Sequence, residues 1–215
     1  MQIATLCGLS RGILQRMDTA YLPALALFAL VQTGTPGPNN LMLLASGANF
    51  GYRRTIPHIL GIAAGVAVMN LLVGLGLARA FDLFPALHTI LTALSVTYLL
   101  WLAWKIANAA PPEHGAAEGR PMTSLQAALF QWVNPKAWTM VLAAITLYAP
   151  GRDLPAIGLV IATFAVISLP VISLWAAAGQ QARRLLDKPA RIRTFNWTMA
   201  GLLVLSLIPV LLTAT

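Results

Sequence analysis

The chain has 215 residues, of which 58% are apolar and 9% are charged, and its formal net charge is +8. About 25% of the residues of a soluble domain are charged, so this composition excludes an ordinary water-soluble domain. The positive charge does not indicate a nucleic-acid partner, because lysine and arginine collect in the cytoplasmic loops of helical membrane proteins.

The first sixteen residues differ from the rest of the chain. Arg11 and Arg16 follow the short apolar stretch instead of preceding it, which is atypical of a signal peptide. With Met17 as an alternative start, we expect residues 1–16 to be a disordered extension and 17–215 to form one membrane-embedded transporter domain. The single cysteine, Cys7, excludes an internal disulfide.

Six apolar blocks follow, each long enough to cross most or all of a ~30 Å hydrocarbon core as a helix. They cover residues 21–48, 56–80, 84–106, 125–148, 154–178 and 195–212. The predicted fold class is therefore all-α, a polytopic membrane protein with about six transmembrane helices. The longest connection, 108–123, is polar and contains Pro111-Pro112, so it is predicted to link two halves, 17–107 and 124–215.

The two halves show traces of a repeat. The pattern Arg-x-x-Pro-x-Ile begins at Arg54 and again at Arg152, 98 residues later, where the second block of each half opens. Because each half crosses the membrane three times, the second half starts on the opposite side of the membrane and is inverted relative to the first. A block interrupted by proline precedes each pattern, which favours two inverted three-helix repeats with broken first and fourth helices.

The distribution of cations predicts the orientation. Four lie on one side: Arg11, Arg16, Arg79 and Arg152. Nine lie on the other: Arg53, Arg54, Lys105, Arg120, Arg183, Arg184, Lys188, Arg191 and Arg193. The side with nine is expected to be cytoplasmic, which places both termini outside.

The first block is interrupted in its middle by the run Thr35-Pro36-Gly37-Pro38-Asn39. Proline lacks the N–H and clashes with the preceding turn, so two prolines that flank a glycine are expected to break the helix inside the bilayer. Non-helical backbone at that depth is tolerated only where it is buried in protein or lines a wet cavity. The run therefore favours a transport site, and the alternative is a proline kink filled by packing.

The fourth block contains the counterpart, Asn134-Pro135-Lys136. A lysine near the centre of a span costs ~2.5–3.5 kcal/mol to insert, so we expect a pairing partner or a cavity. Pro135 frees carbonyl groups one turn earlier, and Asn134 can donate and accept hydrogen bonds. In the inverted arrangement Lys136 lies opposite the first break and is predicted to bind substrate; the alternative is a lysine that snorkels to the interface.

These motifs resemble the LysE/RhtB superfamily of amino-acid exporters, from Tyr21 to the C-terminus. The resemblance implies an exporter of amino acids or amino-acid-like solutes, not an enzyme, in a bacterial cytoplasmic (inner) membrane and without a cofactor or a bound metal. It also implies that seven residues belong to the transport core: Pro36, Gly37, Pro38, Asn39, Asn134, Pro135 and Lys136. Together with Thr35, they are the predicted substrate-binding or transport residues.

The chain departs from the superfamily in its acidic residues. Many relatives carry aspartate where this chain has Asn39, and an acidic residue near the position of Ser168. No acidic residue of this chain falls inside a predicted block. Coupling through a membrane carboxylate and a strongly cationic substrate are therefore disfavoured, and a zwitterionic amino acid suits the site better.

Two alternatives stay open from the sequence. An exporter of metal or other ions would lack the usual membrane ligands, and an intramembrane enzyme would lack a catalytic motif. Small-molecule substrate and lipid bilayer are the expected partners. Gly61 and Gly65 are expected to serve helix packing within the chain, with a homodimer face as the alternative. His58 is expected at the membrane interface.

Overall fold

The computed structural model describes residues 21–84, 86–109, 120–186 and 188–208. These contain no strand, in agreement with the predicted all-α class. Residues 1–16, and 110–119 of the predicted linker, lie outside the described residues. The α-helices, in chain order, are α1 (Tyr21–Gly34), α2 (Pro38–Phe50), α3 (Tyr52–Leu72), α4 (Arg79–Leu83), α5 (Ala86–Ala107), α6 (Ser124–Phe130), α7 (Pro135–Tyr148), α8 (Leu154–Arg183) and α9 (Pro189–Leu205).

Three helical stretches in the described residues are long and apolar enough to cross a membrane unaided. They are Tyr52–Leu77, Thr89–Ala107 and Leu154–Arg183, with 26, 19 and 30 residues. α1 is apolar but shorter. Large apolar side chains such as Val166 and Leu174 are exposed on the surface of α8. The chain is thus a polytopic helical membrane protein, and the count of six spans stays a prediction.

Both blocks that carry the proline motifs are divided into two helices, as the sequence predicts. After α1 the backbone is extended through Gly37 (φ −175°, ψ 179°), and Pro38 opens α2. After α6 a 3-10 turn (Gln131–Val133) leads to extended Asn134 (φ −97°, ψ 106°), and Pro135 opens α7. Proline suits the first helical position, where no intrahelical N–H bond is made. Each break is therefore followed at once by a new helix start.

The second block is not one continuous helix to residue 80. After α3 the backbone widens into a π-helical segment, Val73–Leu77, and Gly76 takes φ +114°, which glycine adopts readily. Gly74 in the same segment packs so tightly that an added Cβ would lie 2.7 Å from Cδ1 of Ile157. These two glycines end the regular helix, and α4 follows.

The seam between α2 and α8 is made by glycines. A Cβ added to Gly47 would lie 2.0 Å from the carbonyl oxygen of Ala176, and one added to Gly179 would lie 2.0 Å from the carbonyl oxygen of Leu44. Only glycine permits backbones to approach this closely. The helix that follows the first break is therefore held against α8.

A second glycine seam joins α3 to α6. A Cβ added to Gly61 would lie 2.2 Å from the carbonyl oxygen of Ser124, and one added to Gly65 would lie 2.8 Å from the carbonyl oxygen of Ala128. The Ser124 hydroxyl donates to the carbonyl of Pro57 at 2.8 Å across the same seam. The prediction that Gly61 and Gly65 pack within the chain is confirmed.

The apolar core has two parts, with α2 between them. Leu43 belongs to the larger cluster, which is formed with α1, α3, α6, α7 and α8. Leu41 and Met42 belong to the second cluster, formed mainly with α5 and α9. The start of α2, where the first break ends, is thereby fixed on both sides.

Candidate functional site

The two helix breaks meet through Lys136, the second residue of α7. Its ammonium donates to the Thr35 carbonyl at 2.6 Å and to the Thr35 hydroxyl at 2.8 Å, and it lies 3.5 Å from the carbonyl of Pro36. The side chain passes over Gly37, where an added Cβ would lie 2.7 Å from Cδ of Lys136. The structure thus brings the lysine to the first break, as the inverted arrangement predicts.

Side chains from α2 and α7 satisfy the end of α1. A helix end leaves its last carbonyl groups without intrahelical partners and carries partial negative charge. The Asn40 amide donates to the carbonyls of Thr33 at 2.7 Å and Thr35 at 2.8 Å. Lys136 places its positive charge at the same negative helix end. The carbonyl groups freed by the break therefore form a site for N–H donors and ammonium groups.

A pair of amides makes a second bridge between the breaks. Asn39 donates to Gln131 at 2.8 Å, and Gln131 donates back to Asn39 at 3.1 Å. Gln131 is fully buried and also donates to the carbonyl of Ala127 at 2.8 Å, while the Asn134 amide approaches it at 3.4 Å. Hydrogen bonds alone, with no ion pair, hold these polar groups together.

A small cavity of about 50 Å³ lies where the breaks meet, closed on its other sides by α3 and α8. It has room for on the order of four water molecules, fewer than the non-hydrogen atoms of even a small amino acid. We therefore expect the walls to separate when a larger solute binds. The lining residues are Gln32, Thr33, Gly37, Asn39, Asn40, Ile62, Ala63, Val66, Ala67, Asn134, Lys136, Ala137, Met140, Ile161, Phe164, Ala165, Ser168 and Ile172.

The electrostatics of this cavity favour a carboxylate. α2 and α7 both begin at it, and the N–H groups of a first helical turn lack intrahelical acceptors and carry partial positive charge. Lys136 adds a full positive charge, and no lining residue is acidic. The carbonyl groups at the end of α1 offer the opposite chemistry beside it. One small cavity thus presents a place for a carboxylate and a place for an ammonium group.

Two buried polar atoms at the cavity have no hydrogen-bond partner among the described residues: Oδ1 of Asn134 and the hydroxyl of Ser168. Both side chains are more than nine-tenths buried. Asn134 precedes α7 in the position where an asparagine oxygen usually caps the helix, yet it makes no such bond. Both atoms remain available to a bound molecule.

The structure places the predicted residues in three ways. Gly37, Asn39, Asn134 and Lys136 line the cavity, and Pro38 and Pro135 open the two helices whose starts face it. Thr35 and Pro36 are exposed beside it and carry the contacts of Lys136.

Sequence reasoning missed Asn40, Gln131 and the hydroxyl of Ser168 as functional groups, although each is a polar residue within an apolar block. His58 is buried within the protein, with 1% of its surface exposed, and it does not line the cavity. Its position at the membrane interface stays a prediction.

No group of three or more His, Cys, Asp or Glu side chains able to hold a metal ion occurs in the described part of the chain. A lysine ammonium at the cavity also repels a cation. The geometry of the described site therefore gives no support to the export of a metal cation.

Comparisons with known proteins point in one direction. A family model described as LysE type translocator matches residues 30–214. A cysteine/O-acetylserine efflux protein of Klebsiella pneumoniae subsp. pneumoniae is 26% identical over 190 residues, which cover 87% of this chain and 95% of that protein. No solved structure matches.

Proteins of the same description from Escherichia coli strain K12 and Shigella flexneri are each 32% identical over 121 residues. These matches cover 56% of this chain and 61% of each relative.

Proposed function

Because the chain belongs to the LysE type translocator family, we propose that it exports small zwitterionic amino acids across the bacterial cytoplasmic membrane. Its family consists of transporters and its relatives are named efflux proteins, so it is a membrane transporter and not an enzyme. The expectation of a transporter is confirmed at that level. The proposal concerns the substrate, the site and the arrangement in the membrane.

The observation that carries the proposal is the bond between Lys136 and Thr35 across the two breaks. A free amino acid carries an ammonium with the same three donors as Lys136. When the walls separate, the substrate ammonium replaces that of Lys136 at the carbonyls of Thr35 and Pro36. The released lysine then pairs with the substrate carboxylate, which also faces the starts of α2 and α7. Each polar group exchanges one partner for another, so none is left unpaired.

The names of the relatives support a substrate of modest size. Cysteine and O-acetylserine are amino acids with neutral side chains, and the cavity has mainly apolar walls from α3 and α8. An acidic lining residue, which a cationic side chain would need, is absent from the cavity. We therefore propose small neutral amino acids as the substrate class, with these two among the first to test.

The six-span inverted repeat belongs to the same proposal. Contacts between helices support it: α1 packs on α8 as α6 packs on α3, and α3–α8 and α5–α9 pair across the halves. The cation distribution predicts that both termini lie outside. The homodimer and the contact with lipid stay predictions. Reporter fusions within 108–123 should report a cytoplasmic loop, and a periplasmic signal would overturn both the orientation and the span count.

Binding to the purified protein tests the substrate class directly. Cysteine, O-acetylserine, serine and alanine should raise its melting temperature and drive counterflow in proteoliposomes. Analogues that lack one charge, such as alaninamide and propionate, should do neither, because each leaves one half of the site unpaired. Stabilisation by divalent cations without any response to amino acids would favour the ion-exporter alternative and overturn the proposal.

A further inference from the structure

The wall that α8 contributes to the cavity is apolar except at one position. Ile161, Ala165, Ser168 and Ile172 recur at spacings of three to four residues and all line the cavity, so they form one face of the helix. The wall from α3 is formed by Ile62, Ala63, Val66 and Ala67 and has no polar side chain. Ser168 is thus the single polar group in the two opposed helical walls.

The hydroxyl of Ser168 has no hydrogen-bond partner in the part of the chain that the structure describes. A serine within a helix commonly donates to a carbonyl of the preceding turn, as Ser95 does to Leu91 at 2.6 Å. Ser168 has no such bond among the described residues, although its side chain is 92% buried. A buried hydroxyl without a partner is costly, so its position at the cavity points to a ligand that completes it.

Asn134 supplies the second free atom. Its Oδ1 accepts no hydrogen bond from the described residues, and it lines the same cavity from the second break. An amide oxygen can only accept, whereas a serine hydroxyl both donates and accepts. A ligand group that donates to the amide oxygen and also accepts the hydroxyl proton of Ser168 must itself donate one hydrogen bond and accept another. A hydroxyl or a thiol does this; a methyl group does neither.

We propose that Ser168 and Asn134 form a side-chain subsite that selects amino acids with a small hydroxyl or thiol group. This inference rests on the proposed function and adds the residues that discriminate between substrates. The main-chain charges of the substrate lie at the helix breaks, its side chain extends between α3 and α8, and its hydroxyl or thiol donates to Asn134 and accepts from Ser168. An apolar side chain of the same size fits the walls but leaves both atoms unpaired.

Pairs of amino acids that have nearly the same shape provide the test. Threonine is compared with valine, and cysteine with 2-aminobutyrate, by competition for binding to the purified full-length protein. The wild type should favour the hydroxyl or thiol member of each pair by about threefold to tenfold, the usual range for one net hydrogen bond. Ser168→Ala should reduce each preference to less than about twofold, by weakening the polar member while leaving the apolar member unchanged.

The control is Ser95→Ala, which removes a buried serine hydroxyl from α5, outside the cavity, and should leave both preferences intact. Since Ser168 holds no other group in place, Ser168→Ala should melt no lower than the wild type. An unchanged preference in Ser168→Ala, or an equal loss for both members of a pair, would overturn the subsite. Failure of every amino acid to bind the wild type would instead overturn the proposed function.

Discussion

The break after α1 leaves Thr35 and Pro36 exposed and supplies backbone carbonyl groups, whereas the break before α7 is buried and supplies side-chain donors. Gln131 and Asn134 in the second break are 0% and 2% exposed. The first break is an extended segment; the second is a 3-10 turn followed by a single extended residue. Both end in a proline that opens a new helix.

This difference shows how two related elements become complementary. Two breaks that offered only carbonyl groups would repel each other, and two that each carried a lysine would do the same. Here the lysine of the second break binds the carbonyls of the first. The same division of donors and acceptors matches the two ends of an amino acid. Three substitutions test it, in order of decreasing expected effect.

Gly179→Ala should have the largest effect, because it separates α2 from α8 and displaces the first break from the second. The new Cβ would lie 2.0 Å from the backbone carbonyl oxygen of Leu44, which cannot rotate away. We expect a loss of about 3 kcal/mol or more in stability, at the upper end for overpacking. Gly158→Ala is the matched control in α8, since its added Cβ has no atom within 4 Å. Melting temperatures in detergent provide the measurement. Equal values for the two variants would contradict the claim that α2 and α8 require glycine at position 179.

Lys136→Met should weaken amino-acid binding by about 1.5–3 kcal/mol, or one to two orders of magnitude, because it removes a charge-assisted contact. The variant keeps the length of the side chain and avoids the cost of inserting a charge, so its membrane level should hold. Lys136→Arg should rescue poorly, since a planar guanidinium does not replace a point charge.

Lys105→Met is the control for this loss of charge. Lys105 lies in the last turn of α5, with its ammonium 5.2 Å from the ring centroid of Trp101, and it does not line the cavity. Its replacement should leave affinity unchanged. Normal binding and export by a well-inserted Lys136→Met protein would show that Lys136 is not part of the substrate site.

Thr35→Val should have the smallest effect. It deletes the hydroxyl that Lys136 contacts at 2.8 Å and keeps both the size of the side chain and the carbonyl at 2.6 Å. One neutral acceptor is worth about 0.5–1.5 kcal/mol, so isothermal titration should show affinity lowered by less than about tenfold. Thr139→Val is the control, because that hydroxyl bonds only within α7. A Thr35→Val loss as large as that of Lys136→Met would mean that the hydroxyl, and not the carbonyl, is the main acceptor.

The positions of both breaks could be predicted from sequence, because each proline stands among polar or glycine residues within an apolar block. Proline alone is not sufficient, since Pro170 lies inside the continuous helix α8. The opposition of Lys136 to the first break was predicted from the inverted arrangement of the two halves. In contrast, the reciprocal pairing of Asn39 with Gln131 depends on the 3-10 turn that aims the glutamine, and a short turn of that kind has no clear sequence signature.

The unused hydroxyl of Ser168 could not be predicted for a different reason. A serine in an apolar helix usually satisfies itself on its own backbone, so the sequence gives no sign that this one is free. The π-helical segment after α3 could not be predicted from the sequence either. Gly74 and Gly76 permit several backbone conformations, and the contact of Gly74 with Ile157, which is distant in sequence, selects one of them.

The bonds that join the two breaks also bear on how readily the protein changes shape. An apolar seam such as that of Gly179 loses its contacts when it opens, whereas the amide pair and the lysine can take water or solute in place of each protein partner. The net cost of exchanging such a bond is only about 0.5–1.5 kcal/mol. We therefore expect the exchange of these bonds to add only a few kcal/mol to the cost of opening, which predicts that the helices separate more easily at the polar junction than at the glycine seam.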